Sequence, residues 1–209
     1  MIRSFLAVPL YALFLGAVAC SSGDAPPANA ADAPEATADR APAAASAPAP
    51  ATGTARIRIS GAQTADLEGE AHFAHGEGLT GETVLNLNLT TVEGGVVHIV
   101  SVARPGEALP GVGRHPLVGI DTWGEEGTDP GAALASYAYG RGTSAEALAQ
   151  DIASIIDSGW ATGGELTLTR STADRMTGTL RFRAPLDDTG GEVTVEAEFD
   201  APRVAVSVP

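Results

Sequence analysis

From residue 55 onward the chain alternates apolar and polar residues in short runs. Ile57 and Ile59 alternate with Arg56 and Arg58, and Leu85, Leu87 and Leu89 with Asn86, Asn88 and Thr90. Val193, Val195, Ala197 and Phe199 alternate in the same way with Glu192, Thr194, Glu196 and Glu198. A period of two sends one set of side chains to a buried face and the other to water, the pattern of antiparallel strands half-covered by a core. Comparable runs predict strands near 66–75, 95–103, 117–123, 133–140, 160–169, 175–184 and 203–208. Residues 96–102 are apolar on both faces except at His98 and Ser101, so this strand is expected between two neighbours inside the sheet.

One stretch departs from alternation. Thr143-Ser144-Ala145-Glu146 has the spacing of a capping box, with Thr143 as N-cap and Glu146 reaching back. Leu148, Ile152, Ile155 and Ile156 then fall on one stripe, and Gly159 ends the run. The spacing predicts a single α-helix over 144–157 that lays its apolar face on the sheet. The expected fold is mainly β: an antiparallel meander of about 9–10 strands forming a sandwich or flattened barrel, in one domain over 55–209. Arg181 and Arg183 share an outward face, as do Glu192, Glu196 and Glu198 on the following strand. Opposite charges paired across strands would fix the register, at about 0.2–1 kcal/mol each.

Composition agrees with short strands and many turns, since the 209 residues hold 25 Gly but few aromatics. Acidic residues outnumber basic ones 26 to 12, and every basic residue is Arg. A surface of this sign repels a phosphate backbone, so no nucleic-acid partner is expected. The excess suits solubility in a salty compartment.

Before residue 55 the pattern changes twice. Arg3 precedes an apolar run over 5–19, interrupted by Pro9, which is too short to span a bilayer and fits a secretory signal over 1–19. Ala17-Val18-Ala19 satisfies an ordinary signal-peptidase site, and with Cys20, the only cysteine, it also resembles a bacterial lipobox. The resemblance implies that Cys20 becomes an acylated N-terminus. Several acyl chains hold a membrane stably, whereas one does so marginally. Ser21 rather than Asp after the cysteine resembles the signal for onward export to the outer membrane. The alternative is plain secretion without a lipid. Residues 20–54 are mostly Ala and Pro without apolar periodicity, which predicts a disordered tether of polyproline character.

The C-terminal third carries Gly164-Glu165-Leu166-Thr167-Leu168-Thr169, then Thr177-Gly178-Thr179-Leu180, then Val193-Thr194-Val195. These runs, within 163–200, resemble a recurring β-meander module of bacterial lipoproteins of unknown function. The resemblance implies two successive hairpins, turning near 171–174 and 187–191, and brings no active-site residues with it.

Candidate chemistry is sparse. Gly140-Arg141-Gly142-Thr143-Ser144-Ala145 has the order of a dinucleotide fingerprint between strand and helix. The antiparallel surroundings and the position of Glu165 before its strand favour turn glycines, and no cofactor is expected. His72 and His75 point to opposite faces of a strand and do not chelate together; with His98 and His115 they read as one structural and three exposed histidines. Asp121, Glu125, Glu126 and Asp129 sit in a glycine-rich stretch and offer a weak calcium site. Trp123 lies among them, after a loop over 103–116 rich in Pro and Gly, and these residues form the expected ligand face. Neither Gly-x-Ser-x-Gly nor His-Glu-x-x-His occurs. The expectation is a non-catalytic, membrane-tethered module that binds an envelope protein, a glycan or a small ligand. The alternative is a hydrolase-like envelope enzyme whose site is assembled from scattered residues.

Overall fold

A computed structural model describes residues 53–77, 82–123, 129 and 131–205. The signal segment, Cys20 and the tether up to residue 52 lie outside the described residues, as do Glu125 and Glu126. Ten strands follow in chain order: β1 (Thr54–Gly61), β2 (Ala65–Glu77), β3 (Thr83–Glu93), β4 (Val96–Pro105), β5 (Gly113–Val118), β6 (Ala133–Arg141), β7 (Ile155–Trp160), β8 (Gly163–Ser171), β9 (Arg175–Pro185) and β10 (Glu192–Pro202). One helix, α1 (Ala145–Gln150), precedes a 3₁₀ turn at Ile152–Ser154. The protein is mainly β, as the alternation requires.

All strands belong to one sheet, ordered β4-β3-β2-β1-β10-β9-β8-β5-β6-β7, with β4 also paired to β6. That last pairing closes the sheet into a flattened, irregular ring. The first strand lies beside the last, with Thr54 opposite Asp200 and Gly61 opposite Val193. Every pairing is antiparallel except the short one between β5 and β6, where Leu117 faces Ala133. β7 and β8 run almost as one bent strand, β7 joining β6 and β8 joining β5 and β9.

Inside the ring the alternating apolar residues meet. Ile57, Ile59, Phe73, Leu85, Leu87, Leu89, Leu166, Leu168, Met176 and Phe182 are among the fully buried side chains. β4 lies between β3 and β6, as its two-faced apolarity predicts. Leu109, in the connection after β4, packs against this core, and Ser171 Oγ donates to Pro110 O at 2.6 Å. That connection closes one end of the ring.

Four expectations change. The helix is six residues long instead of spanning 144–157, and its N-cap is Ser144, whose hydroxyl accepts from Ala147 N at 3.1 Å. Asp151 ends it, and Ile155 and Ile156 enter β7 because β6 offers an open edge to which β-branched residues are well suited. The long loop over 103–116 is shorter, since both its ends are strand: Ala103 and Arg104 pair with Asn86 and Leu85, and Gly113 to Leu117 pair with Leu168 to Gly164. The strand near 117–123 therefore sits earlier, at Gly113–Val118, and turns follow it. In place of a strand over 203–208, Arg203 makes one isolated bridge to Phe73, and 206–209 lie outside the described residues.

α1 packs on the outer face of β4, where Ala145 and Leu148 join Val97, Ile99 and Ile155 in a second small core. Gly140 permits this approach. A Cβ there would lie 2.4 Å from both Ser154 O and a Leu148 methyl. The glycines of the fingerprint-like stretch thus serve helix-to-strand packing.

The up-and-down order gives the ring two distinct ends. Both the entry of β1 and the exit of β10 lie at the end that carries the β2–β3, β4–β5 and β8–β9 connections. The far end carries the β1–β2, β3–β4 and β9–β10 turns together with α1.

Candidate functional site

The expected ligand face is only partly assembled among the described residues. Asp121 is exposed and Trp123 half-buried, in a tight turn where Thr122 N and Trp123 N both donate to Gly119 O at 3.1 Å. Asp129 uses its carboxylate locally, accepting from Gly131 N at 2.7 Å. Glu125 and Glu126 lie outside the described residues. Among the described residues no three His, Cys, Asp or Glu side chains gather as metal ligands.

Histidines fall as alternation demands, with one adjustment. His72 is opposite Asn88 on the outer surface, while His75, three residues on, reaches Gly106 O at 3.1 Å. His98 is the buried one, and the other three are half-buried rather than exposed.

Around His98 lies a polar network at the far end of the ring. Its Nδ1 is 2.9 Å from Tyr137 Oη, and Tyr137 in turn donates to Gln63 Oε1 at 3.1 Å. Tyr137 has one proton and spends it on Gln63, so Nδ1–H of a neutral His98 is the donor to Tyr137. The three rings of His98, Tyr137 and Tyr139 stack with centroids 5.9 to 6.1 Å apart. Burial holds the His98 pKa below its ordinary value, with Glu93 opposing, and pushes both tyrosines up. Asp157 is fully buried alongside and accepts from four donors: Ser158 N, Asp188 N, Thr189 N and Thr189 Oγ1, at 2.6 to 3.0 Å. Burial alone would raise its pKa, but these donors outweigh it and hold the carboxylate below the usual range. This network ties the β1–β2 loop and the β9–β10 turn to β4, β6 and β7.

A concavity lies on the outer wall. Where β8, β9, β10 and β1 twist past each other, their outward residues line an open trough of about 810 Å³. A second hollow of about 610 Å³ continues it towards Thr54, Glu68 and Asp200. Ligand clefts commonly measure about 300–1,000 Å³. Register makes its rows of alternating charge. Asp66, Arg58, Glu196, Arg181 and Glu165 stand side by side across β2, β1, β10, β9 and β8. The next row reads Glu68, Arg56, Glu198, Thr179 and Thr167.

Some of these charges are satisfied by neighbours. Arg56 makes a two-pronged contact to Asp66 at 3.1 and 3.2 Å, which lowers the Asp66 pKa and raises that of Arg56. Arg181 meets Glu196 at 3.2 Å, the cross-strand pairing that the sequence predicts. Others are spare. Arg183 reaches Glu192 only at 4.0 Å and Arg58 reaches Asp66 at 3.4 Å through one nitrogen. Two guanidinium forks are therefore left open to a ligand, on either side of the hydroxyl and carboxylates of β10.

The chain matches no family model, no curated protein and no solved structure. Chemical reading of the site thus rests on its geometry. Alternation in the sequence marks each of these residues as outward-facing. It does not reveal that β1 neighbours β10 or that β6 neighbours β4, and so it discloses neither the trough nor the Tyr137–Tyr139–Asp157 network. The one legible trace was Tyr137 and Tyr139 two apart in a strand, hence on one face.

Proposed function

We propose that this protein is an exported bacterial lipoprotein, acylated at Cys20, whose β domain is a non-catalytic binding module in the cell envelope. The tether lets the domain move over a membrane surface, the outer membrane being favoured by Ser21, while the domain takes a polar ligand or partner along its outer wall. The observation that carries the binding reading is the trough, where Arg58 and Arg183 hold incompletely used forks beside Thr179, Thr194 and Glu198. A guanidinium presents donors in a fixed plane that pairs with carboxylates and vicinal hydroxyls, and carboxylates on the next strand accept from ammonium or hydroxyl groups. Such a wall suits a mixed-charge or polyhydroxylated ligand better than an apolar one.

The test is an amide NMR titration of the purified protein with two probes: a zwitterionic dipeptide series and neutral oligosaccharides. Shifts should concentrate at residues 56–58, 179–183 and 194–198 and vanish in Arg58→Ala/Arg183→Ala. Absence of shifts there with every probe, or turnover of a probe by the protein, would contradict the reading.

A further inference from the structure

We propose that the outer wall pairs with the same wall of a second copy of this chain, about a two-fold axis that runs along the strands between β9 and β10. The inference rests on the reading of the trough as a binding face and names its partner. Charge is spread unevenly over the domain. Residues 55–209 hold 22 acidic and 10 basic residues. Yet three adjoining outward rows across β5, β8, β9, β10, β1 and β2 carry five arginines and five carboxylates. The wall is electrically balanced while the rest of the domain is acidic, so two copies repel each other least wall to wall.

Register makes the wall self-complementary. Rotation about an axis along the strands sets each row against itself in reverse order, the geometry of an isologous interface. An alternating row reversed about a point between two strands brings each charge to its opposite. The trough spans β8, β9, β10 and β1, so its middle lies between β9 and β10. With the axis there, Arg58 faces the copy's Glu165 and Arg181 the copy's Glu196. In the flanking rows Glu68 faces the copy's Arg114, and Arg183 the copy's Thr194. No two like charges meet. Glu68 has no arginine within ion-pair distance among the described residues, and Arg114, 80% exposed, reaches Glu165 only at 3.7 Å. The least-used charges at the two ends of one row thus satisfy each other across the axis. Six strands are about 24 Å wide and three rows about 14 Å long. A footprint of that size belongs with small, transient interfaces, so pairing depends on concentration and weakens with salt.

The experiment is sedimentation velocity on the purified full chain carrying Cys20→Ser, which keeps lipid out of the association, from about 1 μM to about 1 mM. At low salt the average mass should rise towards that of a dimer, and added salt should reverse the rise. Arg58→Glu alone and Glu165→Arg alone should each weaken pairing by about tenfold or more, because each sets like charges across the axis. An equal mixture of the two chains should recover it, since both contacts then join opposite charges. Where a reversal lowers the melting temperature, Arg58→Gln or Glu165→Gln takes its place and should also weaken pairing. A chain monomeric at every concentration, pairing that ignores these variants, or a mixture of the two reversals no better than either alone would overturn the proposal. A monomer whose amides at 56–58 and 179–183 still shift with a dipeptide or oligosaccharide would overturn the pairing and leave the ligand reading standing. Pairing without any such shift would uphold the pairing and fail the ligand reading.

Discussion

Asp157 gives the sharpest expectation about how the ring is held shut. Its carboxylate is fully buried and accepts from Ser158 N, Asp188 N, Thr189 N and Thr189 Oγ1, so this side chain takes three bonds from the β9–β10 turn, beside the backbone bond from Asp187 N to Ser158 O at 2.9 Å. Hydrogen bonds to a charged acceptor contribute about 1.5–3 kcal/mol each, but they do not add when they share one carboxylate. Asp188 and Thr189 are themselves exposed, so water can take over part of their bonding once the carboxylate is gone. Asp157→Ala should therefore cost about 3 kcal/mol rather than the full sum. For a domain of this size that is a fall of about 6–12 °C in Tm. The sign with pH follows from the lowered pKa. The stabilisation is complete above the unfolded carboxylate value of about 4 and fades as pH falls through the lower folded value. Thermal melts of wild type, Asp157→Ala and Asp157→Asn at neutral pH and near pH 2.5 check both points, and the gap to Asp157→Asn should narrow in acid. A neutral-pH Tm for Asp157→Ala within about 1 °C of wild type would show that the turn is held by something else.

Three further outcomes follow from the same packing. His98 is neutral because burial lowers its pKa, so folding stability should drop as pH falls from about 7 to 5, and His98→Gln should flatten that slope in denaturant titrations at stepped pH; an unchanged slope would assign it elsewhere, His72 being the next buried histidine. Gly140→Ala should destabilise by about 1–3 kcal/mol, because the new methyl meets the backbone at Ser154 O, and an unperturbed melt would mean that α1 yields freely. A chain beginning at Ala51 should melt as the longer protein does, since the first pairing described, Ala71 N to Gly53 O, lies after that point; a large loss would show that the tether packs on the domain.

How much was legible in the sequence depends on how local the cause is. Strands such as Arg175–Pro185 and Glu192–Pro202 announce themselves, because each carries its own alternation and its cross-strand charges. Residues 152–156 do not. An Ile stripe three and four apart satisfies a helix, yet the same β-branched side chains satisfy a strand. The decision falls to β6, whose edge accepts β7 at Ser136, Ala138 and Gly140, and that is a distant event. Loop lengths fail for a related reason, since Pro116 marks a loop in isolation but sits within β5 opposite Glu165. The trough and the polar network are the extreme cases. Both need β1 next to β10 or β6 next to β4, and ring closure of this kind leaves no mark in any window of the chain.

The proposed attachment of the domain to a membrane through Cys20 can be measured directly. Cells expressing the full chain are fed an alkyne analogue of palmitate, and the protein is recovered after membrane fractionation. Wild type should carry the label and sediment with membranes, while Cys20→Ser should carry none and appear in the soluble fraction or remain unprocessed. A wild-type protein that is unlabelled and wholly soluble, cleaved so that Cys20 is unmodified or lost, would contradict the account.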